Sequence, residues 1–207
     1  MRHLPFLRFF AIAALPLSFA GTASAVVLTS NPYVSTSAFL SAGSYYAQGF
    51  VIEGSEDAVL DSIYMYTTSG EVGGEGNLYV LDSEYTGVAS AISGDCVGVW
   101  DDTAKVWDFS ALDETLRTLS AGHTYYFYSG QVSTMSYTAS SASTSDYTGG
   151  ILYFASASEN FTSMPDYDFY FVVNGSAVPE PASVAALAGL GVLGFAALRR
   201  RKTAPKE

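Results

Sequence analysis

The chain has 207 residues, 49% of them hydrophobic, and a formal net charge of −11. Of its 20 acidic residues, 18 fall between Val26 and Val178, against two basic residues there, Lys105 and Arg117, a balance of −16. A surface of that sign excludes nucleic acid and anionic membrane as partners, because both are held by Lys and Arg, and the single cysteine, Cys96, excludes an intrachain disulfide.

The first 25 residues read as a secretory signal peptide. Arg2 and Arg8 give a positive start, and Phe9 to Ala20 is apolar except for Ser18 and the break at Pro16. Ala23-Ser24-Ala25 is a small-x-small cleavage site, which places the mature N-terminus at Val26. The expected partners at this end are the Sec translocon and signal peptidase.

Residues 26–177 form the expected body, roughly 150 residues and enough for one domain held by its own core. Short apolar and aromatic stretches alternate with Gly, Ser, Asn and Asp, which is the pattern of strands and turns. Strands are expected over Tyr45–Ile52, Leu60–Thr67, Asn77–Leu81, Cys96–Trp100, Lys105–Phe109, His123–Ser129, Val132–Thr138, Ile151–Ala155 and Asp168–Asn174. The fourth and fifth pair across Asp101-Asp102-Thr103, with Lys105, Trp107 and Phe109 on one face by the two-residue period. Asp113 to Leu119 has room for one helical turn. Eight or nine short strands with no helical crossover give an all-β fold, an antiparallel sandwich of the jelly-roll kind.

No catalytic motif stands out in this body. A triad needs a histidine, and His3 leaves with the signal peptide, so His123 is the candidate; its place at the start of an aromatic strand fits a sheet edge equally well. Cys96 lies in an apolar run, Cys96-Val97-Gly98-Val99-Trp100, and reads as a packing residue. The carboxylates Glu53, Glu56, Asp57, Asp61, Asp101, Asp102, Asp166 and Asp168 include no pair that spacing singles out for glycoside hydrolysis. The body is therefore expected to be non-enzymatic and to need no cofactor. A structural calcium ion would use the acidic loops Gly54–Asp57, Asp101-Asp102 and Asp166–Asp168. The 15 tyrosines and two tryptophans suit sugar stacking as well as strand packing.

Parts of the body resemble the choice-of-anchor R type of secreted bacterial β-domain. The resemblance rests on Gln48-Gly49-Phe50, Leu60-Asp61-Ser62-Ile63, Asn77 to Asp82, Leu119 to Tyr126, and the closing pair Asp168 and Phe171. The usual Thr is His123 here. It implies a β-fold and a surface location, and no chemistry.

The tail, residues 178–207, is an address. Val178-Pro179-Glu180-Pro181 precedes an uncharged apolar run, Ala182 to Leu198, and Arg199, Arg200, Arg201 and Lys202 follow it. That run is at the short end of what spans a bilayer core, and the cations after it stay on the cytoplasmic side, leaving the body outside the inner membrane. Motif, apolar helix and basic stop, in that order, resemble the PEP-CTERM sorting signal of Gram-negative bacteria. The resemblance implies that an exosortase-type membrane protease recognises Pro179, Glu180 and Pro181 and removes the helix, with Arg199, Arg200 and Arg201 as the stop. The expected role is then an exported surface or matrix protein, structural or adhesive, in contact with exopolysaccharide; the rival is a carbohydrate-binding or carbohydrate-processing module.

Overall fold

The computed structural model describes residues 26–32, 38–40, 42–141 and 147–178. Its strands are β1 (Val26–Asn31), β2 (Ala38–Leu40), β3 (Tyr45–Val51), β4 (Ala58–Met65), β5 (Asn77–Leu81), β6 (Val97–Asp101), β7 (Val106–Asp108), β8 (Thr118–Leu119), β9 (Thr124–Ser129), β10 (Tyr137–Ser141), β11 (Leu152–Ala155), β12 (Thr162–Met164), β13 (Tyr167–Phe169) and β14 (Phe171–Ala177). One helical turn, α1 (Glu114–Arg117), follows Asp113, whose carboxylate caps it by accepting from Thr115 N.

All the strand pairs are antiparallel, as expected for an all-β fold. The large sheet runs in the order β1-β14-β4-β7-β6-β5-β9-β3-β11-β12, with β8 as a branch on β4, and β13-β10-β2 form a small second sheet. A path that long cannot stay flat, because each strand pair adds right-handed twist. It curls until β14 faces β3 and β9 across the core. Phe171 of β14 meets Phe127 of β9 at 5.5 Å and Phe50 of β3 at 6.5 Å, both edge-to-face. Tyr46, Tyr137 and Phe169 close the end under the small sheet, with centroids 5.6–5.9 Å apart. Each such pair adds about 0.5–1.5 kcal/mol beyond its buried area.

The opposite face of β3, β5, β9 and β11 is buried too. Tyr45, Ala47, Tyr128, Tyr153 and Ala155 alternate with the main-core residues along these strands. The connection after β5 lies over them through Ala89 and Ile92, and the one after β11 through Phe161. A bond from Ala89 N to Glu159 O, 2.9 Å, holds those two covers together. This second core absorbs much of the tyrosine excess. Burial raises the Tyr46 and Tyr128 hydroxyls to about 12, so these rings are structural and neutral.

Three expectations are corrected. Lys105 does not share a face with Trp107 and Phe109: it closes the β6–β7 turn with a left-handed φ of 58° and its N–H donates to Asp101 O at 2.8 Å. Of Val132–Thr138, only the last two residues are strand, in β10. Asp168–Asn174 is not one strand, since the chain leaves the small sheet after Phe169 and enters the large sheet at Phe171. Among the described residues no helix is long and apolar enough to cross a membrane; the predicted span at 182–198 lies outside them, as does the predicted signal peptide.

Candidate functional site

The residues named for catalysis are separated and held by structural bonds. His123 is exposed; its Nε2–H donates to the Asp82 carbonyl at 2.9 Å, and its ring sits edge-on to Tyr125 at 4.7 Å. Cys96 is buried, and burial raises its thiol to about 11 despite the opposing charge of Arg117. Asp61 pairs with Arg117 at 2.6 Å, and the same guanidinium nitrogen donates to Leu60 O. Asp101 caps its own turn through Thr103 N and Ala104 N, Asp102 takes the Lys105 ammonium at 2.7 Å, and Asp57 accepts from Ala121 N. Among the described residues no three His, Cys, Asp or Glu side chains come together as a metal site would need, so the acidic loops do not assemble a carboxylate cage for calcium.

Asp168 has a different fate from the surface carboxylate expected of it. It is buried, and it accepts from Gln48 Nε2 at 2.9 Å. Gln48 Oε1 in turn accepts from Phe169 N at 2.9 Å. Asn31 Nδ2 donates to Phe169 O at 2.7 Å, and Ser140 Oγ to Asp168 O at 3.2 Å. This buried polar ladder ties β1 and β3 of the large sheet to β10 and β13 of the small one. Gln48 and Asp168, both named in the choice-of-anchor resemblance, therefore meet in space, as do Phe50 and Phe171.

Sequence reasoning passed over Glu75. Its carboxylate is cradled by the residues after β9: Ser133 Oγ donates at 2.8 Å, Thr134 Oγ1 at 2.7 Å and Met135 N at 3.3 Å, with a further short bond from Thr134 N. Desolvation pushes its pKa up, but the Thr134, Ser133 and Met135 donors outweigh that and hold the carboxyl below the usual glutamate range. The signal available in the sequence was a lone Glu inside Gly73-Gly74-Glu75-Gly76, a backbone thin enough to be packed against. Gly74 uses that thinness, since a Cβ there would sit 2.4–2.6 Å from the Trp100 and Trp107 rings.

Trp100 is the half-buried member of that pair. Its ring lies 4.9 Å from the fully buried Trp107, and its indole N–H reaches Asp102. It thus stands fixed between two open grooves. One, of about 430 Å³, presents Thr67, Ser69, Glu71, Lys105 and Ser136 beside it. The other presents Val97, Val99, Leu112 and Asp108.

The remaining site lies at one end of the sandwich. β1 and β14 run antiparallel, Val26 opposite Gly175, so the predicted cleavage point before Val26 and the end of β14 are neighbours. β14 stays paired through Ala177, opposite Ala58, and Val178 N donates to Asp57 O at 2.9 Å. The predicted recognition residues Pro179, Glu180, Pro181, Arg199, Arg200 and Arg201, and the signal-cleavage residues Ala23 and Ala25, lie outside the described residues; Val26, the predicted new N-terminus, is the first residue of β1 and is exposed.

No curated protein and no solved structure matches the chain. A family model does match its tail: the PEP-CTERM protein-sorting motif, over residues 177–202. The match begins at a residue still inside β14 and runs through the Pro-Glu-Pro triplet, the apolar run and the basic cluster. The tail therefore carries a PEP-CTERM sorting signal, which implies an exported protein handled by an exosortase-type system.

Proposed function

We propose that this protein is a non-enzymatic component of the cell surface or extracellular matrix, structural or adhesive in role. In this reading the Sec translocon exports the chain and signal peptidase cuts after Ala25. The run Ala182–Leu198 holds it briefly in the inner membrane with the body outside. An exosortase-type protease then acts near Pro179-Glu180-Pro181 and releases the β-domain to the envelope or to an exopolysaccharide matrix. No metal or cofactor enters this reading.

The observation that carries it is the way the acidic and titratable side chains are held. Asp168, Glu75, Asp61 and His123 each join distant segments by hydrogen bonds, which builds a rigid, acidic, soluble body. Its test is the intact mass and terminal sequence of the protein from washed cells and medium, beside a variant lacking Pro179–Pro181. Expected are a chain from Val26 to near Glu180, and accumulation of the deletion variant at the inner membrane. A deletion variant that reaches the surface fully processed overturns the route, and turnover in an activity screen overturns the non-enzymatic role.

Trp100 favours a second reading, a carbohydrate-binding module. A fixed indole beside hydroxyls and an ion pair has the chemistry to stack on a sugar ring and bond its hydroxyls. A glycan array decides it: specific binding lost in Trp100→Ala, with the fold intact, supports this reading, and a flat array removes it.

A further inference from the structure

We propose that the end face of the sandwich beside the sorting motif, built by Val26, Val27, Glu53, Glu56 and Ala177, is a docking surface for the membrane-embedded sorting protease; the inference rests on the exosortase route above.

The first argument is distance. Ala177 is paired and Val178 is hydrogen-bonded to the fold, so Pro179 follows with no spacer. A chain advances at most ~3.3–3.6 Å per residue, which puts Glu180 within about 7 Å of the last anchored residue. A protein that grips Pro179–Pro181 at that range lies against the end of the domain. The fold itself sets the contact.

The second argument is what that protein meets there. Val26 and Val27 are 52% and 55% exposed and adjacent. Single exposed apolar residues are ordinary, but these two border a groove with Leu28, Glu53, Glu56 and Ala177, at the one end where the chain passes into its sorting signal. β1 is also the edge strand of its sheet, so among the described residues no further strand pairs beyond it. The carboxylates Glu53 and Glu56 decide between a bilayer and a protein as the partner. Pressing unpaired carboxylates into lipid is costly, whereas a protein with an apolar patch and basic rim is complementary to them.

The turn that carries the carboxylates is pinned. Asp57 holds Val178 through its carbonyl and Ala121 N through its carboxylate, 3.0 Å. The surface is therefore preformed, and docking orders little new structure.

The test follows processing of the full chain by pulse-chase in its secreting cells. One variant carries about eight Gly/Ser residues between Val178 and Pro179, a reach of roughly 16 Å. It leaves the domain untouched and moves the motif off the face. The other is Val27→Glu, with its melting temperature checked. Each is expected to slow removal of the tail about ten-fold, the scale of one lost interface anchor, while the N-terminus still starts at Val26. A spacer variant processed as fast as wild type, or faster, overturns the proposal, since the face is then a bystander or an obstacle. Unchanged processing with lost membrane retention in Val27→Glu overturns it in favour of lipid contact. A Pro179–Pro181 deletion still processed normally would instead sink the sorting route itself, which keeps the two failures distinct.

Discussion

Gln48 is the residue on which the joint between the two sheets turns, and Gln48→Ala measures it. The side chain is fully buried; its Nε2 donates to the Asp168 carboxylate at 2.9 Å and to Gly49 O at 3.0 Å, and its Oε1 accepts from Phe169 N at 2.9 Å. A hydrogen bond to a charged acceptor contributes about 1.5–3 kcal/mol, and a buried N–H stripped of its acceptor costs about 1–3 kcal/mol. Truncation also leaves a small cavity. The expected loss is about 3–5 kcal/mol. At ~2–4 °C per kcal/mol for a domain of this size, calorimetry should show melting about 10 °C lower. Gln48→Glu separates bond loss from cavity. It keeps the volume but sets a second carboxylate against Asp168, and two carboxylates so close do not both ionise. The folded pair then binds a proton more tightly than the unfolded chain, so this variant gains stability as pH falls from 7 towards 5. Melting of Gln48→Ala within about 2 °C of wild type, or a Gln48→Glu deficit that does not change with pH, would refute the account of this joint.

Other consequences are as direct. Glu75 has a carboxyl held below the ordinary 4.5, so its contribution is complete above that pH and is lost as pH falls through the folded value. Glu75→Gln should therefore lower stability by about 1–3 kcal/mol at pH 7 and converge on wild type in acid; a constant gap across pH contradicts the charge-based cradle. Gly74→Ala drives a methyl into the Trp100 and Trp107 rings, an overpacking cost of about 1–3 kcal/mol. It should lower the melting temperature and shift tryptophan emission to the red as Trp100 moves outward; an unchanged spectrum would mean the loop gives instead. The Cys96 thiol, raised to about 11 by burial, should resist a thiol-disulfide reagent at pH 8 in the folded protein and react at once in denaturant. Prompt labelling of the native protein would show that the segment leading into β6 opens.

Much of the body was legible because its strands obey a local rule. β5 falls where Asn77–Leu81 was expected, and the β6–β7 pair turns at Asp101–Lys105 because Asp101 can cap that turn from within. Val132–Thr138 misled for a physical reason. Val, Ser and Thr there favour extended chain, but the N–H groups of Thr134 and Met135 go to Glu75, some 60 residues away. No local pattern reports such a partner. Tyrosine was ambiguous in the same way, since a strand with both faces buried looks like one with an aromatic face in water until its cover is known.

The sequence alone determined the sorting address at the C-terminal end, the absence of an intrachain disulfide, the sign of the charge and the all-β class, because these depend on composition and on short-range order along the chain. Tertiary structure alone decided that Asp168 is a buried strut, that Glu75 fastens a glycine-rich loop, and that seven of the 15 tyrosines are core. It also decided that the start of the first strand and the end of β14, where the sorting match begins, share one end of the fold. That adjacency comes from the pairing of β1 with β14, a contact between opposite ends of the domain. Such contacts are settled by which faces can be buried together, and no window along the chain contains both partners.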